Sequence, residues 1–133
     1  MIKYLVIGDP ISHSRSPGMQ NAAFEFHHLG RPYGRRRVLR GEVAAFAENA
    51  RRELNGFNLT VPHKAEIIPC LDEIDPAAEL AGSVNTVTVS EGRLIGTSTD
   101  GYGLETALRE NFRRPLEGAC CCFIGCGGAA HAT

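Results

Sequence analysis

Residues 2–17 read IKYLVIGDPISHSRSP and contain the pattern that decides the fold. The continuous apolar run that ends at Gly8 is typical of a buried strand in a parallel sheet. Ser16 and Pro17 mark the beginning of a helix, because serine caps a first turn and proline suits the first helical position. The stretch therefore predicts a strand, a polar loop and a helix over residues 17–29. The apolar residues predicted on the buried face of this helix are Met19, Ala22, Ala23, Phe26 and Leu29.

The alternation of strands and helices continues along the rest of the chain. Glu91 and Gly92 separate two apolar runs and predict a tight hairpin. The order of elements predicts the α/β class: a three-layer domain with a mixed, mostly parallel sheet flanked by helices, followed by the first strand of an incomplete Rossmann domain. Further strands are predicted over residues 33–39, 57–61, 84–90, 93–97 and 119–124, and further helices over residues 42–54, 76–82 and 100–112.

The composition is that of a soluble globular protein of single-domain size. The chain has 133 residues, of which 43% are hydrophobic and 22% charged, so extensive disorder is excluded. A formal net charge of -1 provides no general positive field for a nucleic acid. No apolar run approaches the roughly 18–20 residues that cross a bilayer. We therefore expect a cytoplasmic protein with neither a nucleic-acid nor a membrane partner.

The cysteines are unevenly distributed. Four of the five lie between positions 120 and 126, and Cys70 stands apart. Consecutive cysteines on a strand point to alternate faces and do not easily pair with each other. The two C-x2-C pairs that a zinc site usually needs are not present. We therefore expect small buried side chains in a reducing compartment, and no metal site.

Three clusters of polar residues lie at the ends of predicted strands, where ligands collect in open α/β sheets. Each of these residues taken alone has a structural explanation as a helix cap, a turn residue or a solvated surface charge. The clusters are residues 12–16, then Asn58, Thr60 and Lys64, and finally residues 85–86 together with 98–100.

Lys64 is distinguished by the rarity of lysine in this chain. The sequence holds 14 lysine and arginine residues, and only Lys3 and Lys64 are lysines. An ammonium group can release and retake a proton, whereas a guanidinium group cannot do so usefully. Lys64 is therefore a candidate for acid–base chemistry.

Residues 119–133 predict the opening of a second domain. The last predicted strand runs into Gly125, Gly127 and Ala130, a G-x-G-x-x-A pattern. Such glycines let the backbone approach a dinucleotide pyrophosphate, which then sits on the next helix N-terminus. The chain ends at Thr133, within the first turn of that helix. We therefore expect the front half of a longer protein, whose cofactor site is incomplete here.

Four segments, taken in their order and spacing, resemble the signatures of the shikimate dehydrogenase family. The residues after the last predicted strand, 125–129, resemble that family's NADP loop. The likeness spans nearly the whole chain but only about the first half of such an enzyme. The four segments are GDPISHSRSP at 8–17, NLTVPHK at 58–64, AGSVNT at 81–86 and GTSTDG at 96–101.

The resemblance implies a domain organisation and an activity. Residues 1–101 would be the substrate-binding and catalytic domain, and residues 102–133 a linker helix with the truncated start of the NADP-binding Rossmann domain. Family members reversibly reduce 3-dehydroshikimate to shikimate with NADPH in aromatic amino-acid biosynthesis. The parent protein would be such an oxidoreductase, and this chain alone would be inactive. Its partners would be the small-molecule substrate and, in a homodimer, a second copy.

The resemblance also implies roles for individual residues. Ser14 and Ser16 would bind the substrate carboxylate, and Thr60, Asn85 and Asp100 would hold ring hydroxyls. Lys64 would touch the substrate and form the catalytic pair with Asp100. Two positions depart from the family pattern: Ser98 stands where Asn is usual, and Gln20 where His is usual. The residues implied in NADP binding are Gly125, Gly127, Gly128, Ala129 and Ala130.

Other functions remain open at this point. The parent enzyme could act on quinate, or on both quinate and shikimate, because these acids differ little around the quoted motifs. The chain could instead be a non-catalytic binding module for a small polyhydroxy acid. The choice between NADP and NAD depends on residues after a second Rossmann strand, which the sequence does not contain.

Overall fold

The structure, a computed structural model, describes residues 3–112, 117–122, 124–125 and 130. Six strands and four helices are present in these residues. In chain order they are β1 (Tyr4–Gly8), α1 (Ser16–Phe26), β2 (Tyr33–Arg37), α2 (Val43–Glu53), β3 (Gly56–Leu59), β4 (Glu73–Ile74), α3 (Pro76–Ala81), β5 (Thr86–Ser90), β6 (Arg93–Thr97) and α4 (Asp100–Phe112), with a short 3-10 helix (Ile68–Cys70) before β4.

The strands form one mixed sheet in the order β2-β1-β3-β5-β6-β4. Strand β1 is parallel to both β2 and β3, and β4 is parallel to β6. The pairs β3–β5 and β5–β6 are antiparallel. The predicted α/β class with a mixed, mostly parallel sheet is therefore confirmed. The predicted hairpin is present as well, with Glu91 and Gly92 at positive φ between β5 and β6.

Helix α2 covers one face of the sheet. Its side chains Val43, Phe46, Ala47 and Ala50 are buried and lie at helical spacing within the helix that the sequence predicted over residues 42–54. The ring of Phe46 meets the ring of Phe57 edge to face, with the centroids 5.0 Å apart. This face holds the larger of the two apolar clusters of the core.

Helix α1 covers the opposite face, and it differs from the prediction. It ends at Phe26 rather than Leu29, because His28 adopts a left-handed φ of 55°. Its aromatic contact with the sheet is made by Phe24, whose ring packs edge to face against Tyr4 and Tyr33. The predicted buried face is wrong, because these aromatic contacts decide which side of the helix faces the sheet. The five residues predicted to be buried are all exposed: Met19, Ala22, Ala23, Phe26 and Leu29.

The predicted strand over residues 119–124 is absent from the part of this segment that the structure describes. Residues 119–122 and 124 have no regular structure and are exposed. A strand needs a hydrogen-bonded neighbour, and the described residues of this segment pair with no strand of the six-stranded sheet. The cysteines at positions 120–122 are exposed for the same reason, so the prediction of burial is wrong for them. Of the predicted cofactor loop, Gly127, Gly128 and Ala129 lie outside the described residues.

The loops that follow β1 and β3 lie side by side. These strands are parallel neighbours, so their carboxyl ends meet at one edge of the sheet. The Asp9 amide donates to the Val61 carbonyl at 3.1 Å, and the Thr60 amide donates to Ile7 at 3.0 Å. This edge is where the polar motifs collect.

No helix in the described part of the chain has the length and apolar character to cross a membrane.

Candidate functional site

The side chains of Lys64 and Asp100 meet at the carboxyl edge of the sheet. Lys64 lies in the turn that follows β3, and Asp100 is the first residue of α4. The Lys64 Nζ donates to Asp100 Oδ2 at 2.5 Å. Their side chains are 18% and 28% exposed, so both remain accessible to a ligand. Two motifs that lie 36 positions apart in the chain thus place an ammonium group against a carboxylate.

Asn85 is the third member of this cluster. It lies just before β5, and its Nδ2 donates to the other oxygen of Asp100, Oδ1, at 2.8 Å. Its Oδ1 accepts from the backbone amide of Thr99 at 3.1 Å. Because a carboxylate oxygen can only accept and a backbone amide can only donate, the orientation of the Asn85 amide is defined on both sides.

The turn that carries Lys64 is fixed to the fold from two sides. The Lys64 carbonyl accepts from the Val84 amide at 2.9 Å. The ring of the preceding residue, His63, is fully buried, with Nε2 2.8 Å from the Val38 carbonyl and Nδ1 3.0 Å from Glu66 Oε2. Both ring nitrogens of His63 thus have a hydrogen-bond partner. His63 therefore connects the Lys64 turn to the loop after β2.

We expect the stability of the fold to depend on pH through Glu66. The hydrogen bond from His63, and secondarily the one from the Gly41 amide, hold the pKa of the Glu66 carboxyl below its usual value of 4.5. A carboxyl whose pKa is lowered by folding stabilises the native state above that value and loses this effect as the pH falls. The free energy of unfolding in urea should therefore decrease from about pH 6 to about pH 3, and less steeply for Glu66→Gln.

The matched control for Glu66 is Glu91→Gln, at an exposed position in the hairpin between β5 and β6. This variant removes the same charge and should follow the unaltered chain across the whole pH range. Parallel pH curves for Glu66→Gln and the unaltered chain would contradict the expectation.

The serines predicted to bind a carboxylate lie in the loop between β1 and α1. Ser14 and Ser16 are half-buried, and the Ser16 amide donates to Ser14 Oγ at 3.3 Å. The Arg35 guanidinium, on edge strand β2, donates to the Ser12 carbonyl at 2.6 Å and to the Ser14 carbonyl at 3.4 Å. Within the described residues, neither serine forms a hydrogen bond with Lys64. The loop that carries both serines is joined to the same edge of the sheet by the hydrogen bond from the Asp9 amide to the Val61 carbonyl.

Thr60 occupies the position between the serine loop and the Lys64 turn. Its carbonyl accepts from the His63 amide at 2.9 Å, and this bond closes the turn. Its methyl group lies where a side chain on Gly8 would have to be, since a Cβ there would come within 2.6 Å of Thr60 Cγ2. Gly8 is thus required for the close approach of the two loops.

Sequence reasoning did not assign site roles to several residues that contact the cluster. The hydroxyl of Thr86 donates to Asn85 Oδ1 at 2.8 Å, and Asn58 Nδ2 donates to Thr86 Oγ1 at 2.9 Å. The Tyr33 hydroxyl donates to Asn58 Oδ1 at 2.6 Å. The signal in the sequence that could have identified these residues is the presence of polar side chains at inward-facing positions of neighbouring strands. At Ser98, where the family usually has Asn, the substitution does not prevent Asp100 from bonding to Lys64 and Asn85. The Ser98 hydroxyl is buried without a hydrogen-bond partner in the described residues.

The site shows no sign of a metal centre in the residues that the structure describes. No group of three His, Cys, Asp or Glu side chains there is arranged to hold an ion. The arrangement of an ammonium, a carboxylate, amides and hydroxyls is instead suited to hydrogen-bonding a small polar ligand and to moving one proton.

Comparison with known proteins places these features in a family. The sequence model of the family described as "Shikimate dehydrogenase substrate binding domain" matches residues 6–87. Shikimate dehydrogenase (NADP(+)) of Citrifermentans bemidjiense is 45% identical, over 96% of this chain and 44% of the relative. The chain thus spans less than half the length of this relative.

Solved structures agree with the sequence match. Shikimate 5-dehydrogenase of Thermus thermophilus in complex with shikimate superposes with a TM-score of 0.86 at 34% identity, over 99% of this chain and 50% of that one. Shikimate 5-dehydrogenase of Listeria monocytogenes, in complex with shikimate and NAD, gives a TM-score of 0.88 at 38% identity, over 98% and 46% of the two chains.

Proposed function

Because the chain belongs to the family of shikimate dehydrogenase substrate-binding domains, we propose that it is the substrate-binding half of an enzyme that reversibly reduces 3-dehydroshikimate to shikimate with NADPH. The observation that carries this proposal is the contact of Lys64 with Asp100 beside the Asn85 amide. Residues 1–101 form the substrate-binding domain in this proposal. Residues 102–133 form a linker helix and the start of the NADP-binding domain.

Lys64 and Asp100 are the catalytic pair in the proposed reaction. Hydride addition to a ketone builds negative charge on its oxygen, and a cation near that oxygen lowers the barrier. The Lys64 ammonium stabilises the oxygen and gives it a proton, and the resulting amine takes the proton back when the alcohol is oxidised. Asp100 holds the ammonium in position through the 2.5 Å contact.

The neutral polar groups of the site recognise the substrate. The hydroxyls of Ser14 and Ser16 donate hydrogen bonds to the carboxylate of the substrate. Thr60, Asn85 and Asp100 form hydrogen bonds with its ring hydroxyls. Such groups discriminate strongly, because an analogue that lacks one hydroxyl leaves its partner in the site unpaired.

The hydride is supplied by the nicotinamide nucleotide when it is bound. Gly125 has a φ of 112°, in the left-handed region that favours glycine, and this fits the first glycine of a phosphate-binding loop. The loop is completed by Gly127, Gly128, Ala129 and Ala130 in this proposal. We expect this chain by itself to show negligible NADPH oxidation, because it spans about half the length of its relatives.

The test of the proposal is a calorimetric titration of the chain with shikimate. The unaltered chain should bind shikimate, and Ser14→Ala should weaken binding about tenfold or more, since a hydrogen bond to a charged group is lost. Ser90→Ala is the matched control, because Ser90 is exposed at the hairpin end of β5. Parallel titration with quinate compares the two acids. Undetectable shikimate binding by the unaltered chain, or equal effects of the two serine variants, would overturn the proposal.

A further inference from the structure

A line of hydrogen bonds crosses the α1 face of the sheet and ends at Asp100. We propose that Tyr33, Asn58 and Thr86 form a relay that positions the Asn85 amide against Asp100, and that these three are positioning residues for the ligand site. The inference deepens the proposed function and rests on it for the identity of the ligand. None of the three belongs to the catalytic pair.

The register of the sheet brings the relay together. Asn58 of β3 lies opposite Thr86 of β5, and on its other side it lies opposite Val6 of β1. Paired residues share a face of a sheet, so Asn58 and Thr86 lie on the same side as Val6, which packs with Tyr33 in the apolar cluster under α1. The long side chain of Tyr33 reaches across β1 to Asn58. Members of the relay that are 53 positions apart in sequence thus lie in one row.

All the bonds of the relay have the same direction. The Tyr33 hydroxyl donates to Asn58 Oδ1 at 2.6 Å, and Asn58 Nδ2 donates to Thr86 Oγ1 at 2.9 Å. The Thr86 hydroxyl donates to Asn85 Oδ1 at 2.8 Å. Asn85 Nδ2 then donates to Asp100 Oδ1 at 2.8 Å. Asn58, Thr86 and Asn85 each accept at one end and donate at the other, so every bond polarises the next one towards the carboxylate.

Tyr33 is suited to the remote end of the relay. The residue is 6% exposed, and burial raises the pKa of its hydroxyl above the usual range. The hydroxyl therefore keeps its proton and remains a donor. The backbone of Tyr33 is held in turn by Asn21 of α1, which accepts from its amide at 2.7 Å and donates to its carbonyl at 3.0 Å.

Each member of the relay fixes the rotamer of the next. With Tyr33 bonded to its oxygen, the Asn58 amide presents its NH2 group to Thr86. With its oxygen accepting that bond, the Thr86 hydroxyl directs its own proton to Asn85. Removal of the Tyr33 hydroxyl leaves the Asn58 oxygen without this donor, so only the bonds of its NH2 group to Thr86 Oγ1 at 2.9 Å and to the Asn85 carbonyl at 3.2 Å still hold the Asn58 amide. The Thr86 hydroxyl, and through it the Asn85 amide, then lose one constraint on their orientation.

The test compares two Tyr→Phe variants of the same chain. Tyr33→Phe removes only the relay hydroxyl and should weaken shikimate binding about three- to tenfold, the effect of one neutral hydrogen bond. It should also shift the side-chain NH2 resonances of Asn85 in 1H–15N spectra of the ligand-free chain. Tyr4→Phe is the matched control. Tyr4 is paired with Tyr33 across the sheet, but the hydroxyl of Tyr4 accepts from Arg31 and Asn55, which lie outside the relay. It should change neither quantity.

A second pair of variants at Thr86 covers the case in which Tyr33→Phe does not fold. Thr86→Ser keeps the hydroxyl and should retain the Asn85 resonances, while Thr86→Val removes the hydroxyl and should shift them. Unchanged Asn85 resonances in Tyr33→Phe, or in Thr86→Val, would overturn the relay. The spectra need no ligand, so a chain that fails to bind shikimate refutes the proposed function separately from the relay.

Discussion

Replacing Lys64 by methionine is expected to lower the turnover of the complete enzyme by about a hundredfold to ten-thousandfold, the range that general acid–base catalysis contributes. Methionine keeps an unbranched side chain but has no proton to give to the carbonyl oxygen and no positive charge to stabilise it. Asp100 would also lose the partner that lies 2.5 Å from its Oδ2. The effect should fall mainly on kcat, because the ammonium is needed most when charge develops on the oxygen.

The measurement is NADP-dependent oxidation of shikimate by this chain joined to the NADP-binding half of its Citrifermentans bemidjiense relative. The sequence offers a matched control, since Lys3 is its other lysine. The Lys3 ammonium is exposed and donates to the Glu53 carbonyl, on a different edge of the sheet from the site. Lys3→Met should leave kcat unchanged. A Lys64→Met enzyme that keeps more than about a tenth of its turnover would remove Lys64 as the acid.

Replacing Gly8 by alanine is expected to lower the free energy of unfolding by about 1–3 kcal/mol, as overpacking of a dense interior does. A Cβ at Gly8 would lie 2.6 Å from Thr60 Cγ2, 3.0 Å from Ile11 Cδ1 and 3.2 Å from the Val61 carbonyl oxygen. The side-chain neighbours can shift, but the backbone carbonyl cannot do so without moving the turn that carries Lys64. The variant should therefore also weaken shikimate binding.

The same substitution at Gly18 serves as the control. Gly18 lies in α1, and a Cβ there would meet no atom within 4 Å. Alanine is the better helix former, so Gly18→Ala should raise the free energy of unfolding by up to about 1 kcal/mol. Urea unfolding should thus show changes of opposite sign in the free energy of unfolding of the two variants. A Gly8→Ala chain that is as stable as the unaltered one would show that the two loops do not need this close approach.

The local elements of the fold could be read from the sequence because their signals lie within a few residues. Asp75, Pro76 and Gly82 delimit α3: the Asp75 carboxylate accepts from the Ala77 and Ala78 amides, and Gly82 ends the helix at a φ of 58°. The apolar spacing of α2 likewise matches its buried face. Caps, turns and periodicity act over one or two helical turns, so the chain itself carries them.

The orientation of α1 could not be read in this way. Its apolar residues at positions 19, 22, 23, 26 and 29 predict one face, and the structure exposes that face. The helix instead sits on the sheet through Phe24, between two tyrosines contributed by β1 and β2. Which face packs is decided by the surface that the sheet offers, and this surface is built from residues distant in sequence.

By itself the sequence determined most of the strand and helix order, though not the short strand β4, together with the turn chemistry and the presence of Lys64, Asn85 and Asp100 in polar motifs at strand ends. Only the tertiary structure decided that Lys64 and Asp100 meet at 2.5 Å and that the row from Tyr33 to Asn85 is continuous. The physical reason is register. Hydrogen bonds between side chains on different strands depend on which residues are paired across the sheet, and pairing is fixed by the packing of the whole domain.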